Sequence, residues 1–181
     1  MTLLGFTPTN HPQQVGKRGA SDTVDERITP QWLFDEWNAK YRFTLDAAAN
    51  ASNAKCERFF SLEHDGLAQS WSGERVWCNP PYSDLKSWVA RARAEAMHKA
   101  EVIVLLLPAN RTEQKWWQEH IEPFRDRKPR TFSDLAVKVR FLPRRINFGV
   151  PGNEGAKFNS SPPFGLCVVA MAHPMREEFI S

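Results

Sequence analysis

The sequence predicts an α/β domain whose sheet is mostly parallel and ends in an antiparallel edge. Strand-like and helical segments alternate early in the chain, and strand candidates then follow one another. Residues 102–107 (VIVLLL) form an uninterrupted apolar run, which indicates a central strand buried on both faces. At 181 residues the chain has the size of one domain with a substantial core.

Residues 1–24 are predicted to be a mobile arm, and residues 25–181 a single folded domain. The arm carries prolines and glycines among polar residues without a hydrophobic period. It also lacks the charged and then apolar layout of a secretory signal, and no apolar run approaches the roughly 20 residues that span a bilayer. We therefore expect a cytoplasmic protein with no membrane contact.

Helical periodicity predicts three helices. The first begins at Thr29 and Pro30, because Thr can cap free amides and Pro suits the first helical position. Ser83 or Asp84 is predicted to cap the second, and Thr112 the third. The apolar faces consist of Leu33, Phe34, Trp37 and Tyr41 in the first helix, Leu85, Trp88, Val89, Ala92 and Ala96 in the second, and Trp116, Trp117 and Ile121 in the third.

Six segments are predicted to form strands, on the basis of β-branched and apolar runs between polar or turn residues. The first of them leads into a loop of small residues, where a ligand can approach the backbone. The predicted strands are residues 43–45, 75–78, 102–107, 137–142, 145–148 and 164–171.

The three cysteines are predicted to be reduced thiols. Cys56, Cys78 and Cys167 are odd in number and widely spaced, without the paired spacing of a zinc or redox motif. Cys78 and Cys167 lie within apolar strand-like runs, so we expect both to be buried. No metal site is predicted.

Basic residues concentrate towards the end of the chain. The net charge of +3 is compatible with nucleic-acid binding but does not require it. The segment 125–145 could meet phosphates, or it could be an ordinary solvated surface. Its cations are Arg125, Arg127, Lys128, Arg130, Lys138, Arg140, Arg144 and Arg145, against Asp126 and Asp134.

The residues Asn79-Pro80-Pro81-Tyr82 stand between a predicted strand and a predicted helix. The lone pair of an aromatic amine is delocalised, so two acceptors must draw its hydrogens out of conjugation. The side-chain oxygen of Asn79 and the carbonyl of Pro80 can serve, and the prolines hold both oxygens rigid. Tyr82 offers a face on which an extruded base can stack. The alternative is a merely rigid turn.

Several stretches together resemble the phage-type DNA N-6-adenine-methyltransferase family, the Dam-like enzymes of phages and prophages. The similarity covers about residues 27–171. It implies a Rossmann-like methyltransferase fold that binds S-adenosyl-L-methionine and methylates adenine in double-stranded DNA inside the bacterial host cell. The matching stretches are residues 29–34 (TPQWLF), 43–49 (FTLDAAA), 53–56 (NAKC), 76–83 (VWCNPPYS), 105–111 (LLLPANR) and 163–164 (PF).

The resemblance also implies roles for individual residues. It implies that the catalytic motif is Asn79, Pro80, Pro81 and Tyr82, and that the cofactor motif at the first strand is Asp46, Ala47 and Ala48. It further implies that Thr29 and Pro30 lie over the methionine part of the cofactor, and that Asp65 lies near its adenine or ribose. Two alternatives stay open. Thr29 and Pro30 can be a plain helix start, and Asp65 a surface or turn residue.

The cofactor end departs from the usual pattern of this fold. Its loop, residues 46–50 (DAAAN), contains no glycine, although glycine lets a ligand approach the backbone closely. Only 18 residues separate Asp46 from Asp65, too few for a helix and a further complete strand. The fold is therefore expected to be abbreviated here.

Arg111, Arg144, Arg145 and Asn147, with the loop 149–163, are candidate DNA contacts. Two rival functions remain open. An Asn-Pro-Pro-Tyr motif also resembles that of enzymes that methylate RNA amines or a protein glutamine amide, and a DNA-binding module without catalysis is the other rival. No oligomeric state is predicted.

Overall fold

The computed structural model describes residues 28–131, 134–149, 162 and 164–179. The predicted arm, residues 1–24, lies outside this part of the chain. The strands are β1 (Leu45–Asp46), β2 (Arg58–Phe59), β3 (Arg75–Cys78), β4 (Val102–Pro108), β5 (Ala136–Phe141) and β6 (Leu166–Ala172). The helices are α1 (Gln31–Tyr41), α2 (Leu85–His98), α3 (Lys115–His120) and a 3₁₀ helix, Pro174–Phe179.

The six strands form one sheet in the order β2-β1-β3-β4-β6-β5. Strands β2, β1, β3 and β4 are parallel neighbours, whereas β6 runs antiparallel to both β4 and β5. The predicted mostly parallel sheet with an antiparallel edge is confirmed. Strands β1 to β5 therefore end on one side, called here the carboxyl end of the sheet, and only β6 ends at the opposite, amino end.

The hydrophobic core surrounds the two longest strands. Every residue of β4 and β6 is buried, as the apolar run of the sequence predicts for a central strand. The predicted apolar face of α1 is buried as well, and Phe34 meets Trp77 of β3 edge to face at 5.6 Å between ring centroids. Helix α2 buries its predicted face and packs against β4, β6 and α3. In the described part of the chain, no helix has the length and apolar character needed to cross a membrane.

Of the predicted helix caps, one is confirmed and two are wrong. The Asp84 side chain accepts from the backbone N–H of Ser87 at 3.3 Å and caps α2. Helix α1 begins one residue later than predicted, with Pro30 at the N-cap and no side-chain cap. Helix α3 begins at Lys115, with Gln114 and not Thr112 at the N-cap, because residues 111–114 first form a turn in which the Gln114 N–H donates to the Arg111 carbonyl at 3.2 Å.

Two strand predictions also differ from the structure. Residues 145–148 form no strand in the described chain, although Ile146 and Phe148 are buried in alternation. Among the described residues, the nearby backbone forms a β-bridge between Gly149 and Ile28. Strand β2, which the sequence did not reveal, has two residues and one exposed side chain, so it lacks an apolar run. No helix links β1 to β2, and the fold is thus short at the expected place.

Candidate active site

Four of the predicted site residues line one small cleft at the carboxyl end of the sheet. They are Thr29, Asp46, Ala48 and Asn79, and the enclosed part of the cleft has a volume of about 20 Å³. Asp46 ends β1 and Asn79 directly follows β3, its parallel neighbour. Ligands of open α/β sheets bind outside the carboxyl ends of the strands, and this cleft occupies that position.

Asp46 is the buried charge of the cleft, with a side chain only 3% exposed. Its carboxylate accepts from the backbone N–H of Lys55 at 3.0 Å and, less closely, from that of Ala48 at 3.4 Å. Burial raises the pKa of Asp46 to about 6, although both hydrogen bonds and the nearby Lys55 charge act in the opposite direction. A cation entering the cleft would favour the ionised form.

The cleft also contains residues to which the sequence interpretation assigned no role. Lys55 and Asn53 line it beside Trp77. The Lys55 ammonium group donates to the Gln31 side-chain oxygen at 3.0 Å, which connects the loop after β1 to the first turn of α1. The only sequence signal for them was the resemblance of residues 53–56, because a single Lys in a polar loop carries no pattern of its own.

The Asn79-Pro80-Pro81-Tyr82 turn has its carbonyl groups in different environments. The Pro81 carbonyl accepts from the backbone N–H of Asp84 at 3.2 Å. The Tyr82 carbonyl accepts from Nη1 of Arg111 at 3.0 Å. No hydrogen bond within the described residues uses the Pro80 carbonyl. Of the carbonyls of Pro80, Pro81 and Tyr82, that of Pro80 is thus the one that accepts no hydrogen bond from a described residue, and its contact with a substrate amine stays a prediction.

Tyr82 is not an open stacking face in this structure. Its side chain is 8% exposed, and its ring packs against Phe164 with centroids 6.1 Å apart and planes tilted by 49°. Phe164 lies two residues before β6, after a stretch that is mostly outside the described residues. A base that stacks on the face of Tyr82 covered by Phe164 must therefore displace the Phe164 ring.

The remaining predicted cofactor residues, Pro30, Ala47 and Asp65, do not line the cleft. Ala47 is buried, and its N–H donates to the Trp77 carbonyl at 3.0 Å. Pro30 starts α1. Asp65 is exposed with a φ of 51°, and its side chain accepts from the N–H of Leu67 at 3.2 Å. This geometry matches the turn-residue alternative for Asp65, and its contact with a cofactor stays a prediction.

The basic segment 125–145 does not form one surface. Arg127, Lys128 and Arg130 line a cleft that precedes β5, at the amino end of the sheet. Arg140 and Arg144 lie at the other end, where their guanidinium groups stand over the rings of Trp37 and Trp32 of α1 at 5.5 Å each. The segment is thus divided between opposite ends, because β5 runs the full height of the sheet between its two halves.

The cysteines Cys78 and Cys167 are buried, as predicted, and burial raises the pKa of both thiols. Cys56 is half-buried and also unpaired with another cysteine. Among the described residues, no group of three or more His, Cys, Asp or Glu side chains has an arrangement that could hold a metal ion.

Comparison with known proteins identifies the family of the chain. The family model described as DNA N-6-adenine-methyltransferase (Dam) matches residues 18–180. A DNA N-6-adenine-methyltransferase of Haemophilus phage HP1 (strain HP1c1) is 33% identical over 91 residues, which are 49% of this chain and 52% of that protein. One of Escherichia phage T1 is 34% identical over 93 residues, 50% of this chain and 38% of that protein. The chain thus spans about half or less of the length of these relatives. Because the family match covers nearly the whole sequence, the chain belongs to the DNA N-6-adenine-methyltransferase (Dam) family.

Proposed function

We propose that this chain transfers a methyl group from S-adenosyl-L-methionine to the exocyclic amino group of adenine in double-stranded DNA. The observation that carries the proposal is the opening of Asp46 and Asn79 onto one cleft, at the carboxyl ends of adjacent parallel strands. A cofactor-binding acid and an amine-binding amide must be neighbours for a direct transfer. The names of the family and of both phage relatives support adenine in DNA as the acceptor.

The charges of the cleft fit S-adenosyl-L-methionine. Its amino-acid part carries an ammonium and a carboxylate group, and the cleft offers the carboxylate of Asp46 and the ammonium group of Lys55. Thr29 and the small Ala48 complete this side without filling it. S-adenosyl-L-methionine supplies, when bound, a methyl group on a positively charged sulfur. The buried Asp46 carboxylate is also suited to stabilise that charge.

The turn after β3 would hold the amine. The Asn79 side-chain oxygen and the Pro80 carbonyl accept the two amine hydrogens, which returns the nitrogen lone pair to the direction of attack. Arg111 holds the Tyr82 carbonyl and so keeps the turn from rotating. Because neither Asn nor Tyr is a strong base at neutral pH, the reaction is a direct attack without a covalent enzyme intermediate.

The base must leave the duplex to reach this turn, since its amine is otherwise paired inside the helix. Tyr82 provides the stacking surface for the flipped adenine once Phe164 moves from its present contact. The cost of unpairing is then partly offset by stacking, which is worth about 1–3 kcal/mol per base.

The experiment is methyl transfer from labelled S-adenosyl-L-methionine, with DNA, RNA and protein offered separately. We expect label in DNA alone, at adenine N6. The Asn79→Ala and Tyr82→Ala variants should lose about 100-fold or more of the rate while they still bind S-adenosyl-L-methionine in calorimetry.

Three outcomes would contradict the proposal. Label confined to RNA or protein would assign a different acceptor. DNA binding without any saturable heat from S-adenosyl-L-methionine would indicate a binding module instead of an enzyme. Near-full activity of both variants would remove the proposed role of the motif.

A further inference from the structure

Exposed apolar side chains concentrate at the carboxyl end of the sheet. Among the described residues, four large apolar side chains are exposed. Trp32 is 49% exposed in the first turn of α1, Leu62 is 97% exposed shortly after β2, and Phe141 is 50% exposed as the last residue of β5. Only Met175, which follows β6, lies at the amino end. Leu62 follows β2 and Phe141 ends β5, and these strands are the opposite edges of the sheet, so the three side chains do not form one continuous patch. Trp32 is the one that lies three residues from the cleft-lining Thr29.

Trp32 differs from the other two because a cation covers it. The Arg144 guanidinium lies over the Trp32 ring, 5.5 Å from its centroid. Both Arg144 and the following Arg145 are exposed, and no carboxylate in the described part of the chain forms an ion pair with either. A guanidinium group that lies over an indole ring without a carboxylate partner keeps N–H donors for an anion, and phosphate matches their fork.

The elements that carry this pair are tied together. Glu36 of α1 forms an ion pair with Arg140 at 3.5 Å, and the same guanidinium lies over the Trp37 ring. Beyond the pair, Ile28 and Gly149 exchange two backbone hydrogen bonds of 3.2 and 2.8 Å. Helix α1 and the segment after β5 are therefore connected on both sides of the pair, so its geometry is preorganised for a ligand.

The pair also adjoins the candidate active site. Thr29 lines the cleft and precedes Trp32 by three residues, so their Cα atoms are at most about 11 Å apart. Gln31, next to Trp32, binds the ammonium group of Lys55 in the cleft. Arg144 follows the end of β5 at the same end of the sheet. A polyanion over this end meets the cleft and the pair together.

We propose that Trp32 and Arg144 form a DNA-contacting platform beside the cleft. The Arg144 guanidinium binds a backbone phosphate near the target, and the Trp32 indole packs against a base exposed when the adenine leaves the stack. Duplex DNA is the partner that fits, because it presents regularly spaced phosphates and unsatisfied base faces at a flipped site. The inference rests on the proposed function, since it takes duplex DNA as the substrate.

The test uses the full chain, four variants in two matched pairs, and the conservative variant Trp32→Phe. Trp32→Ala and Arg144→Gln remove the platform. Met175→Ala and Lys99→Gln remove an exposed apolar side chain and an exposed cation at the amino end of the sheet. Each protein is measured for binding to a short fluorescent duplex over a range of salt concentrations, for methyl transfer to DNA from cells without adenine methylation, and for S-adenosyl-L-methionine affinity. Thermal unfolding checks that each variant is folded.

We expect Arg144→Gln to weaken DNA binding and to reduce the slope of log affinity against log salt by about 0.9, the effect of one lost phosphate contact. Trp32→Ala should lower kcat/KM for DNA about ten-fold, and Trp32→Phe should recover part of this loss. Affinity for S-adenosyl-L-methionine should not change in either variant. The two variants at the amino end should match the wild type.

The platform is wrong if Trp32→Ala and Arg144→Gln stay within about two-fold of the wild type in every DNA measurement. Equal losses in the amino-end variants would also overturn it, since they would show a general loss of charge or apolar surface. A wild-type chain that binds DNA without methylating it contradicts the proposed function alone, because the binding and salt data still decide the platform. A wild-type chain that does not bind DNA contradicts both.

Discussion

The backbone N–H of Lys55 donates to Oδ2 of Asp46 at 3.0 Å, across nine residues of the loop that follows β1. The loop therefore closes around a carboxylate that water barely reaches. Two N–H groups stabilise its ionised form, yet burial outweighs them and the pKa is raised to about 6. Asp46 thus changes charge just below neutral pH, which has separate consequences for the empty and the ligand-bound protein.

Stability should decrease as the pH rises through about 6. Asp46 has its ordinary value of 3.8 in the unfolded chain and about 6 in the folded one, so the folded state binds the proton more tightly. The resulting stabilisation is complete below the unfolded pKa and is lost as the pH passes the folded pKa. Relative to Asp46→Asn, the wild type should lose more than about 1 kcal/mol of unfolding free energy between about pH 5 and pH 7.5. Urea unfolding of both proteins measures this, and parallel pH profiles would contradict it.

Affinity for S-adenosyl-L-methionine should have the opposite pH dependence. If the ionised Asp46 binds the cationic groups of the cofactor, protonation removes that attraction, and binding should weaken about ten-fold from about pH 7 to pH 5. Asp46→Asn should bind weakly at both values. Calorimetry in buffers of matched ionic strength measures the effect, and a pH dependence that survives in Asp46→Asn would assign it to another group.

Replacing Lys55 by Met should weaken cofactor binding only by removing the contact with the carboxylate group of S-adenosyl-L-methionine. A hydrogen bond to a charged group is worth about 1.5–3 kcal/mol, so S-adenosyl-L-methionine should bind Lys55→Met at least ten-fold less tightly. Methylthioadenosine, which lacks the amino-acid part, serves as the control ligand and should bind both proteins equally. An equal loss for both ligands would show that Lys55 shapes the loop instead of binding the carboxylate.

Arg111 was expected from the sequence to contact DNA, but its guanidinium group donates to the Tyr82 carbonyl. As a positioning residue, Arg111→Ala should lower kcat about ten-fold or more and leave cofactor affinity unchanged, with partial recovery in Arg111→Lys. The salt dependence of DNA binding distinguishes the two roles. A slope reduced by about 0.9 with an unchanged kcat would identify a phosphate contact instead.

Gly66 lies directly against the backbone of the loop that follows β1. A Cβ at this position would lie 2.3 Å from the Ala47 carbonyl oxygen and 3.0 Å from the Trp88 ring, so the loop backbone must shift. Gly66→Ala should therefore cost about 1–3 kcal/mol of stability and also weaken cofactor binding. Gly165→Ala is the matched control, because its Cβ would meet nothing within 4 Å. Equal melting temperatures of the two variants would contradict this account.

The hydrophobic pattern predicted burial more reliably than pairing. The α1 face and the strands β3 and β4 were predicted nearly to the residue, because period and apolar runs report which side chains are buried. The same signal misled at residues 145–148, where Ile146 and Phe148 alternate into the core although these four residues form no strand. The sequence did not predict strand β2, because β2 pairs with β1 but contains no buried apolar run.

By itself, the sequence determined the class of the fold, the strand-turn-helix context of Asn79-Pro80-Pro81-Tyr82, and the resemblance that the family match confirms. Tertiary structure decided which residues meet. Thr29 and Lys55 share a cleft because α1 and the loop after β1 converge at the carboxyl end of the sheet. Phe164 covers Tyr82 because β6 runs antiparallel to β4, so that β6 and the residues just before it begin near Tyr82. Contacts between residues far apart in the chain depend on strand order and direction, which local periodicity does not encode.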